Sequence, residues 1–510
     1  MAMSLNDICQ WIRAAAPGGR LVSDSRRVAK GDVFFAYPGE ASDGRRHIAA
    51  AIAAGAAAVV YEEDGYSWDG AHAVAHLGVA RLKQNAGPVA HAVLQHPDAA
   101  MFTVGVTGTN GKTSCAVWTG QALARLGETA AVIGTLGVGV VDGKGEPQFD
   151  ATGYTTPDAV LLAQLLSELR AREVGALAIE VSSIGLVQER TAGMHFDVAV
   201  FTNLTRDHLD FHGDMENYEA AKRQLFAWEG LGHAVVNLDD PAGLRLAAWL
   251  RQERPQLPLT GYTLRSEAEQ PAIAGAGILR ASNLRSRHAG TEFQVDTQAG
   301  SALVKTALVG HFNVSNALAV LGALLAKGVA FKSALEAIEA LVPAPGRMQQ
   351  IGGQDAPMVV IDYAHTPDAL EKTLEALRQV ADERGGRLWC VFGCGGDRDP
   401  GKRPQMGAVA QMADQVVVTS DNPRSEEPAG IIAQIVAGME RRGEQSPQTV
   451  EDRATAILLA VKNAGRQDVI LLAGKGHEPY QEIKGRKIPF SDADHAALAL
   501  TARLTMMRTH

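Results

Sequence analysis

The residues best suited to chemistry lie in one run, GVTGTNGKTS, from Gly105 to Ser114. An apolar stretch precedes it and a helical pattern follows. In a turn of this kind the backbone N–H groups and the positive end of the helix dipole cradle phosphate oxygens. Gly108 and Gly111 let the backbone approach closely. Lys112 would neutralise the β- and γ-phosphates, and the Thr113 hydroxyl would bind Mg2+. Val106 stands where a strict Walker A sequence has its first glycine. The loop alone does not choose among a kinase, a motor ATPase, a GTPase and a ligase. The sequence has no obvious Asn-Lys-x-Asp guanine reader and no helicase-like motif series.

Downstream residues narrow the chemistry. Glu180 closes the apolar run ALAIE. A carboxylate at the C-terminal end of a strand beside a phosphate loop is well placed for Mg2+, although a plain surface glutamate is the simpler alternative. TNLTRDHLDFHG (Thr202–Gly213) packs Arg206, Asp207, His208, Asp210 and His212 after another strand. That density supplies ligands for a second metal and charges for a phosphoryl group. Lys222, on a helical segment beyond the cluster, reads locally as an ordinary exposed lysine.

These groups need elements to hold them. FTVGVTG predicts a strand and SCAVWTGQALARLG a helix stopped at Gly127. TTPDAVLLAQLLSELR predicts a helix with Thr156 as N-cap and Pro157 at its first position. ALAIEV, DVAVFTNL and HAVVNLDD read as buried strands, so the alternation implies a parallel sheet covered on both faces. Residues 273–310 alternate like an antiparallel hairpin region. Pro and Gly cluster in LVPAPGRM (Leu341–Met348), a linker pattern. PMVVID, RLWCVFG, QVVVTS and DVILLAG then predict a second sheet, with Thr366 and Pro367 opening a helix. Residues up to about 98 form a separate α/β module, with GDVFFAYPG as a strand and an Ala-rich helix-to-strand passage. GPVAHAVLQHPDAAM (Gly87–Met101) reads as turn-rich connection. The expectation is an α/β protein of three domains, 1–98, 99–341 and 342–510, with a P-loop mononucleotide-binding sheet in the centre.

Hydrophobic residues make up 46% of the chain and charged residues 21%, with a formal net charge of -9. That balance fits a soluble globular protein and gives no support for nucleic-acid or anionic-membrane binding. Four cysteines without a Cys-x-x-Cys pair argue for free thiols rather than zinc or a disulfide framework. No signal peptide or membrane span is visible, which makes the cytoplasm the expected location.

The motifs GTNGKT, EVSS-x-GL-x-Q-x-R, TNLTRDHLD-x-HG, Y-x-x-AK-x-x-LF, HFN-x-x-NALA, DYAHTPD-x-L, GGDRD-x-GKRP, DNPR and GKGHE run in order along nearly the whole chain. In this the sequence resembles the Mur ligases of peptidoglycan synthesis. The resemblance implies a UDP-binding first domain, an ATP-binding second and a Rossmann-like third, acting as a monomer. Gly108, Thr109, Asn110, Gly111, Lys112, Thr113 and Ser114 would hold ATP, and Asn313, Arg347, Asp362 and His365 would meet the nucleotide. Ser23, Ser25, Glu40, Ala41 and Ser42 would sit near the UDP group of UDP-N-acetylmuramoyl-L-alanyl-D-glutamate. Thr155, Thr156, Ser182, Gln188 and Arg190 would grip its muramoyl-dipeptide.

Lys222 would carry a carbamate and, with Thr113, Glu180 and His208, complete the Mg2+ environment. Lys112, Glu180, His208 and Lys222 form the implied catalytic set. Arg398, Asp421, Asn422, Pro423, Arg424, Gly474 and Glu478 would select meso-diaminopimelate, with Arg forks for its second carboxylate and Asp421 and Glu478 for its distal ammonium. Ile184 and Tyr154 depart from the family pattern. The implied reaction passes through an acyl phosphate that the amine attacks. A folylpolyglutamate synthase-like ligase and a non-catalytic ATP-binding switch are the alternatives. The first-domain DSR motif and DNPR argue against the former, and the charges gathered around the phosphate loop against the latter.

Overall fold

The computed structural model describes residues 3–39, 42–145, 147–269, 273–287, 290–298, 300–440 and 447–508. Glu40 and Ala41 lie outside them. Three α/β layers follow one another along the chain. The first has four parallel strands in sequence order, Leu21–Val22, Val33–Ala36, Ala58–Glu62 and Ala75–Val79. Alternate residues of Val33–Ala36 face opposite layers. Val33 and Phe35 pack with the helices Leu5–Ala15 and Leu82–Val93, and Phe34 and Ala36 with Ile48–Ala53. Val160 and Ala163 of the next layer join the first of these cores.

Gly87 and Pro88 lie inside the helix Leu82–Val93, not in a connecting turn. The helix persists because Leu82, Ala86, Val89 and Ala90 bury one continuous stripe. Gly87 is needed there for a different reason: a Cβ would run into the Ala192 carbonyl.

The second layer is an eleven-stranded sheet. Its centre is parallel, and the strand Phe102–Thr107 lies between Ala176–Glu180 and Val198–Phe201. Register pairs Val106 with Glu180 and Thr107 with Phe201, so three strands end together. An open parallel sheet presents its ligand crevice at such strand ends. The hairpin region appears as Gly277–Arg287, Gly290–Thr297 and Gly300–Thr306, joined antiparallel at one edge. Helices Lys112–Arg125, His311–Ala326 and Phe331–Glu339 cover one face, and Ala159–Ala171 and Pro241–Glu253 the other.

The helix Ala159–Ala171 is capped by Asp158, whose carboxylate accepts from Val160 and Leu161 N–H, rather than by Thr156. The Thr156 hydroxyl is engaged elsewhere: it donates to the Glu180 carbonyl at 2.8 Å and accepts from the Ser182 N–H at 3.0 Å. Thr366 and Pro367 do open the helix Pro367–Arg384.

The third layer has six strands. Its parallel core runs Met358–Asp362, Val469–Ala473, Leu388–Phe392, Gln415–Val418, Gln448–Thr449, with Gln349–Gly352 antiparallel at the edge. Arg453 and Asp492 pair in its interior at 2.7 Å, both side chains fully buried. Arg453 also donates to the Ala473 carbonyl at 2.9 Å, which ties the C-terminal helix Asp492–Arg508 to the end of a central strand. Removing one partner strands a buried charge, at a cost of about 3–5 kcal/mol. Arg453→Met is therefore expected to lower the urea unfolding midpoint of this layer markedly; an unchanged midpoint would show that the pair does not hold the strand end.

Candidate active site

The phosphate-loop turn is built as its sequence requires. Gly108 has φ 149° and Gly111 φ 87°, and a Cβ at Gly108 would strike the Thr202 hydroxyl. The Asn110 N–H donates to Asn203 Oδ1 at 2.9 Å, and the Thr202 hydroxyl donates to the Asn110 carbonyl at 2.6 Å. These contacts brace the loop from the neighbouring strand end. Lys112 Nζ turns back onto its own loop, donating to the Gly108 and Thr109 carbonyls at 2.9 and 2.8 Å.

Lys222 is buried, not exposed. It lies on the helix Met215–Arg223, is 1% exposed, and donates Nζ to the same Gly108 carbonyl at 2.8 Å. Nζ also sits 4.3 Å from the Tyr218 ring centroid. Burial, then the Lys112 charge, hold it well below the ordinary lysine value, against a smaller pull from Asp207. Burial likewise lowers Lys112, which Glu180 and Asp207 partly offset.

Glu180 is 1% exposed and both its oxygens accept from Thr135: the N–H at 2.9 Å and the hydroxyl at 3.1 Å. Thr135 and Thr155 hydroxyls lie 3.2 Å apart. Thr156, Ser182 and Arg190 continue the chain, with Arg190 donating to the Thr156 carbonyl at 2.9 Å. Gln188 Nε2 is buried without a hydrogen-bond partner among the described residues. The two positions that depart from the family pattern border this chain. The Arg190 guanidinium lies 5.0 Å from the ring centroid of Tyr154, and Ile184 sits half-buried on the short helix Ser183–Val187.

His208 adopts φ 53° and its Nε2 lies 3.5 Å from Asp207 Oδ2. Burial would raise Asp207, but His208, His365 and Lys402 together bring it down to about 2. His365, from the third layer, approaches Asp207 at 3.9 Å. His212 is spent on a hydrogen bond to the Ser183 hydroxyl at 2.9 Å, and the exposed Asp210 acts on His208 and His212 as a nearby charge that raises both against the burial that lowers them.

A cavity of about 430 Å³ opens between the second and third layers beside the loop. Asn110, Gly111, Asn313, Arg347, Asp362 and Lys372 are among its walls. Arg347 Nη2 donates to the Thr113 hydroxyl at 3.0 Å, and its guanidinium lies 4.6 Å from the Tyr363 ring centroid. Asp362 accepts from the Met348 and Ala364 N–H groups, each at 2.8 Å. A second cavity, of about 900 Å³, lies between the first and second layers and includes Ser23, Ser25, Ser42, His47, Tyr154 and Asp158. Ser23 donates to Asp158 there at 2.8 Å. The residues Thr155, Thr156, Ser182, Gln188 and Arg190 lie instead along the path from that cavity toward Glu180.

The third-layer cluster gathers at the ends of strands Gln415–Val418 and Val469–Ala473. Asp421 is buried, which raises its carboxyl against the pull of Lys475 and Arg453. Gly474 has φ 110°, and a Cβ there would sit 2.5 Å from Asp421 Oδ2. Arg424 has φ 51° and donates Nη1 to the Gly396 carbonyl at 2.6 Å, with Nε 3.5 Å from Glu482. Arg398 donates Nη1 to the Asp397 carbonyl at 3.1 Å. Pro423 carries the chain into this bend, and a Cβ on Gly396 would meet its carbonyl. Asn422 and Glu478 share a hydrogen bond of 2.8 Å.

Several contacts bring the second and third layers together over the loop. Asn110 Nδ2 donates to Asp368 at 3.1 Å and Arg206 meets Asp399 at 3.4 Å, while the Thr135 backbone pulls His477 up against the burial that brings it down to about 4. Asn203, Asn316, Asp368, Lys475 and His477 belong to motifs visible in the sequence, but their residue types and spacing alone assign them no role. Thr135 had no local signal; only the strand register makes it the partner of Glu180. Mg2+ is commonly held by one or two carboxylates together with substrate phosphates. Glu180 and the Thr113 hydroxyl are donors of that kind, whereas Lys222 as an amine is not.

Three sequence profiles match the chain: one described as Mur ligase family, catalytic domain, over residues 20–96; Mur ligase middle domain over 106–324; and Mur ligase, glutamate ligase domain over 346–476. A UDP-N-acetylmuramoyl-L-alanyl-D-glutamate–2,6-diaminopimelate ligase from Janthinobacterium sp. (strain Marseille) is 61% identical, over 98% of this chain and 98% of its own. The chain belongs to the Mur ligase family. A ligase of the same description from Ralstonia nicotianae is 52% identical over 99% of this chain and 97% of its own. A solved structure described as that ligase superposes with a TM-score of 0.65 at 33% identity, covering 99% of this chain and 100% of its own. The Mur ligase middle-domain match spans the phosphate loop, Glu180, His208, Lys222 and Asn313. The glutamate ligase domain match spans Arg347, Asp362, His365, Arg398 and the DNPR stretch, and ends before His477 and Glu478.

The floor of the DNPR cluster has its own ion pair. Arg403, 1% exposed, donates to both oxygens of Glu426 at 2.8 and 2.7 Å, and to the Gly395 carbonyl at 3.2 Å. That hydrogen bonding, aided by the Asp397 N–H, brings Glu426 from 4.5 to about 2. A carboxyl lowered by folding stabilises the fold fully above its unfolded value and loses that contribution as pH falls through its folded value. Between pH 4.5 and pH 2 the unfolding midpoint of Glu426→Gln should therefore fall less steeply than that of the unaltered protein; parallel slopes would exclude Glu426 as the source.

Proposed function

We propose that this Mur ligase joins meso-diaminopimelate to the D-Glu γ-carboxylate of UDP-N-acetylmuramoyl-L-alanyl-D-glutamate, using ATP and passing through an acyl phosphate, in the supply of peptidoglycan precursor. Full-length identity of 61% to a relative bearing that description carries the reading. The geometry supports it independently. One cavity abuts the phosphate loop, another lies between the first and second layers, and an Asp–Arg cluster is suited to a zwitterion with an extra carboxylate. Asn110–Asp368, Arg206–Asp399 and His365–Asp207 contacts join the third layer to the phosphate-loop layer, so the amine cluster and the loop belong to one assembly.

In this reading the domains divide at residues 98 and 341. The 900 Å³ cavity takes the UDP group and the 430 Å³ cavity the adenosine end of ATP. The substrate γ-carboxylate attacks the γ-phosphorus, ADP leaves, and the resulting acyl phosphate is attacked by the amine, with phosphate departing. Lys112 leaves the Gly108 and Thr109 carbonyls to follow the developing charge on the transferred group. Arg347 releases Thr113 when the phosphates arrive. Mg2+, held by Glu180 and Thr113 with His208 nearby, would neutralise phosphate charge. Burial and the Lys112 charge shift Lys222 toward the neutral amine, the form that adds CO2 to give a carbamate and a proton. That anion would exchange the repulsion with Lys112 for attraction. Arg424 and Arg398 face the second carboxylate, and leaving them unpaired would penalise lysine as a competitor. Four buried free thiols support a reducing, cytoplasmic setting.

With purified protein, ADP release should require both the UDP-dipeptide and an amino acid, with diaminopimelate far more effective than lysine. ADP release indifferent to both substrates would sink the ligase reading. Lys112→Ala should lower amide formation by at least about 100-fold, the scale of one lost charge-stabilising donor; near-normal turnover would move the phosphate role elsewhere.

A further inference from the structure

One cation in the amine cluster has no role in the chemistry above. Lys475 is fully buried. Its Nζ donates to Asn422 Oδ1 at 3.1 Å and to Glu478 Oε2 at 3.0 Å. Asn422 Oδ1 also accepts from the Glu482 N–H at 2.9 Å, and Asn422 Nδ2 donates to Glu478 Oε2 at 2.8 Å. Reversing the amide would set its NH2 against an ammonium and a backbone N–H at once. The surrounding donors thus fix its orientation. As a result Glu478 Oε2 receives two donors, while Oε1 receives no hydrogen bond among the described residues.

We infer that Lys475 is a positioning residue for amine recognition: together with Asn422 it pins one oxygen of Glu478 and leaves the other to accept from the ammonium of the incoming amino acid. This rests on the ligase reading above. The charge balance gives the physical reason. Asp421 and Glu478 are carboxylates drawn into one poorly hydrated cluster, and such groups need a countercharge. Lys475 supplies it from below, through the shared Asn422, without occupying the whole of Glu478. A neutral residue at 475 would leave Glu478 held through Asn422 alone, and the amino acid would have to order more of it on binding.

Steady-state kinetics of Lys475→Met test this. The KM for meso-diaminopimelate should rise about tenfold or more, the scale of one charge-assisted hydrogen bond. The KM values for ATP and the UDP-dipeptide should stay within about twofold. In a double-mutant cycle with Glu478→Gln the two effects should be strongly non-additive, because both act through one carboxylate. An equal rise in all three KM values, or an additive cycle, overturns the inference and leaves Lys475 a purely structural residue. Should Lys475→Met not fold, Asn422→Leu removes the same bridge while keeping the lysine. It should give the same split, and an unchanged diaminopimelate KM again overturns the inference. If the unaltered protein forms no amide with diaminopimelate, the ligase reading fails instead.

Discussion

Two lysine nitrogens converge on one carbonyl oxygen. Lys112 and Lys222 both donate to the Gly108 carbonyl, at 2.9 and 2.8 Å, in a site largely closed to water. Two unit charges about 4 Å apart at an effective dielectric of about 20 repel by about 4 kcal/mol. Burial first, and then the Lys112 charge, hold Lys222 well below its ordinary value, which weakens that repulsion. The same arrangement defines what the loop lacks. It is a cationic floor, which phosphates, or the proposed carbamate on Lys222, would neutralise.

The surroundings of that floor follow from strand register. Val106 opposite Glu180 and Thr107 opposite Phe201 bring a carboxylate to one side of the loop and the Thr202–Asn203 brace to the other. Glu180 is held by Thr135, and His365 from the third layer approaches Asp207 beside the loop at 3.9 Å. Asn110–Asp368 and Arg206–Asp399 add two more contacts across the same gap. The amine cluster is therefore anchored relative to the phosphate loop by polar contacts at its rim. Such contacts can break and re-form as layers move, which the proposed use of substrates from three layers requires.

The order of the motifs, the phosphate loop, the strand-end Glu180, the DNPR stretch and the α/β class were legible in the amino-acid sequence, because each is a local pattern of residue type and spacing. Helix starts were read well where the cap uses its own chain, as at Thr366, and missed where a hydroxyl is claimed from afar, as at Thr156. Gly87 and Pro88 looked like a turn because their local preference is strong; a buried apolar stripe and the approach of Ala192 outweighed it.

Lys222 marks the division most clearly. Its type and helical position say only that it is a lysine on a helix, and family resemblance alone gave it a role. Burial, the shared Gly108 carbonyl and the neighbouring ammonium come from residues more than a hundred positions apart in the chain, brought together by the sheet. Lys475, Asn422 and Glu478 repeat the pattern: the sequence supplied the groups and their motifs. Tertiary structure decided which oxygen of Glu478 is held and which is left, since a hydrogen bond depends on distance and direction that spacing along a chain does not determine.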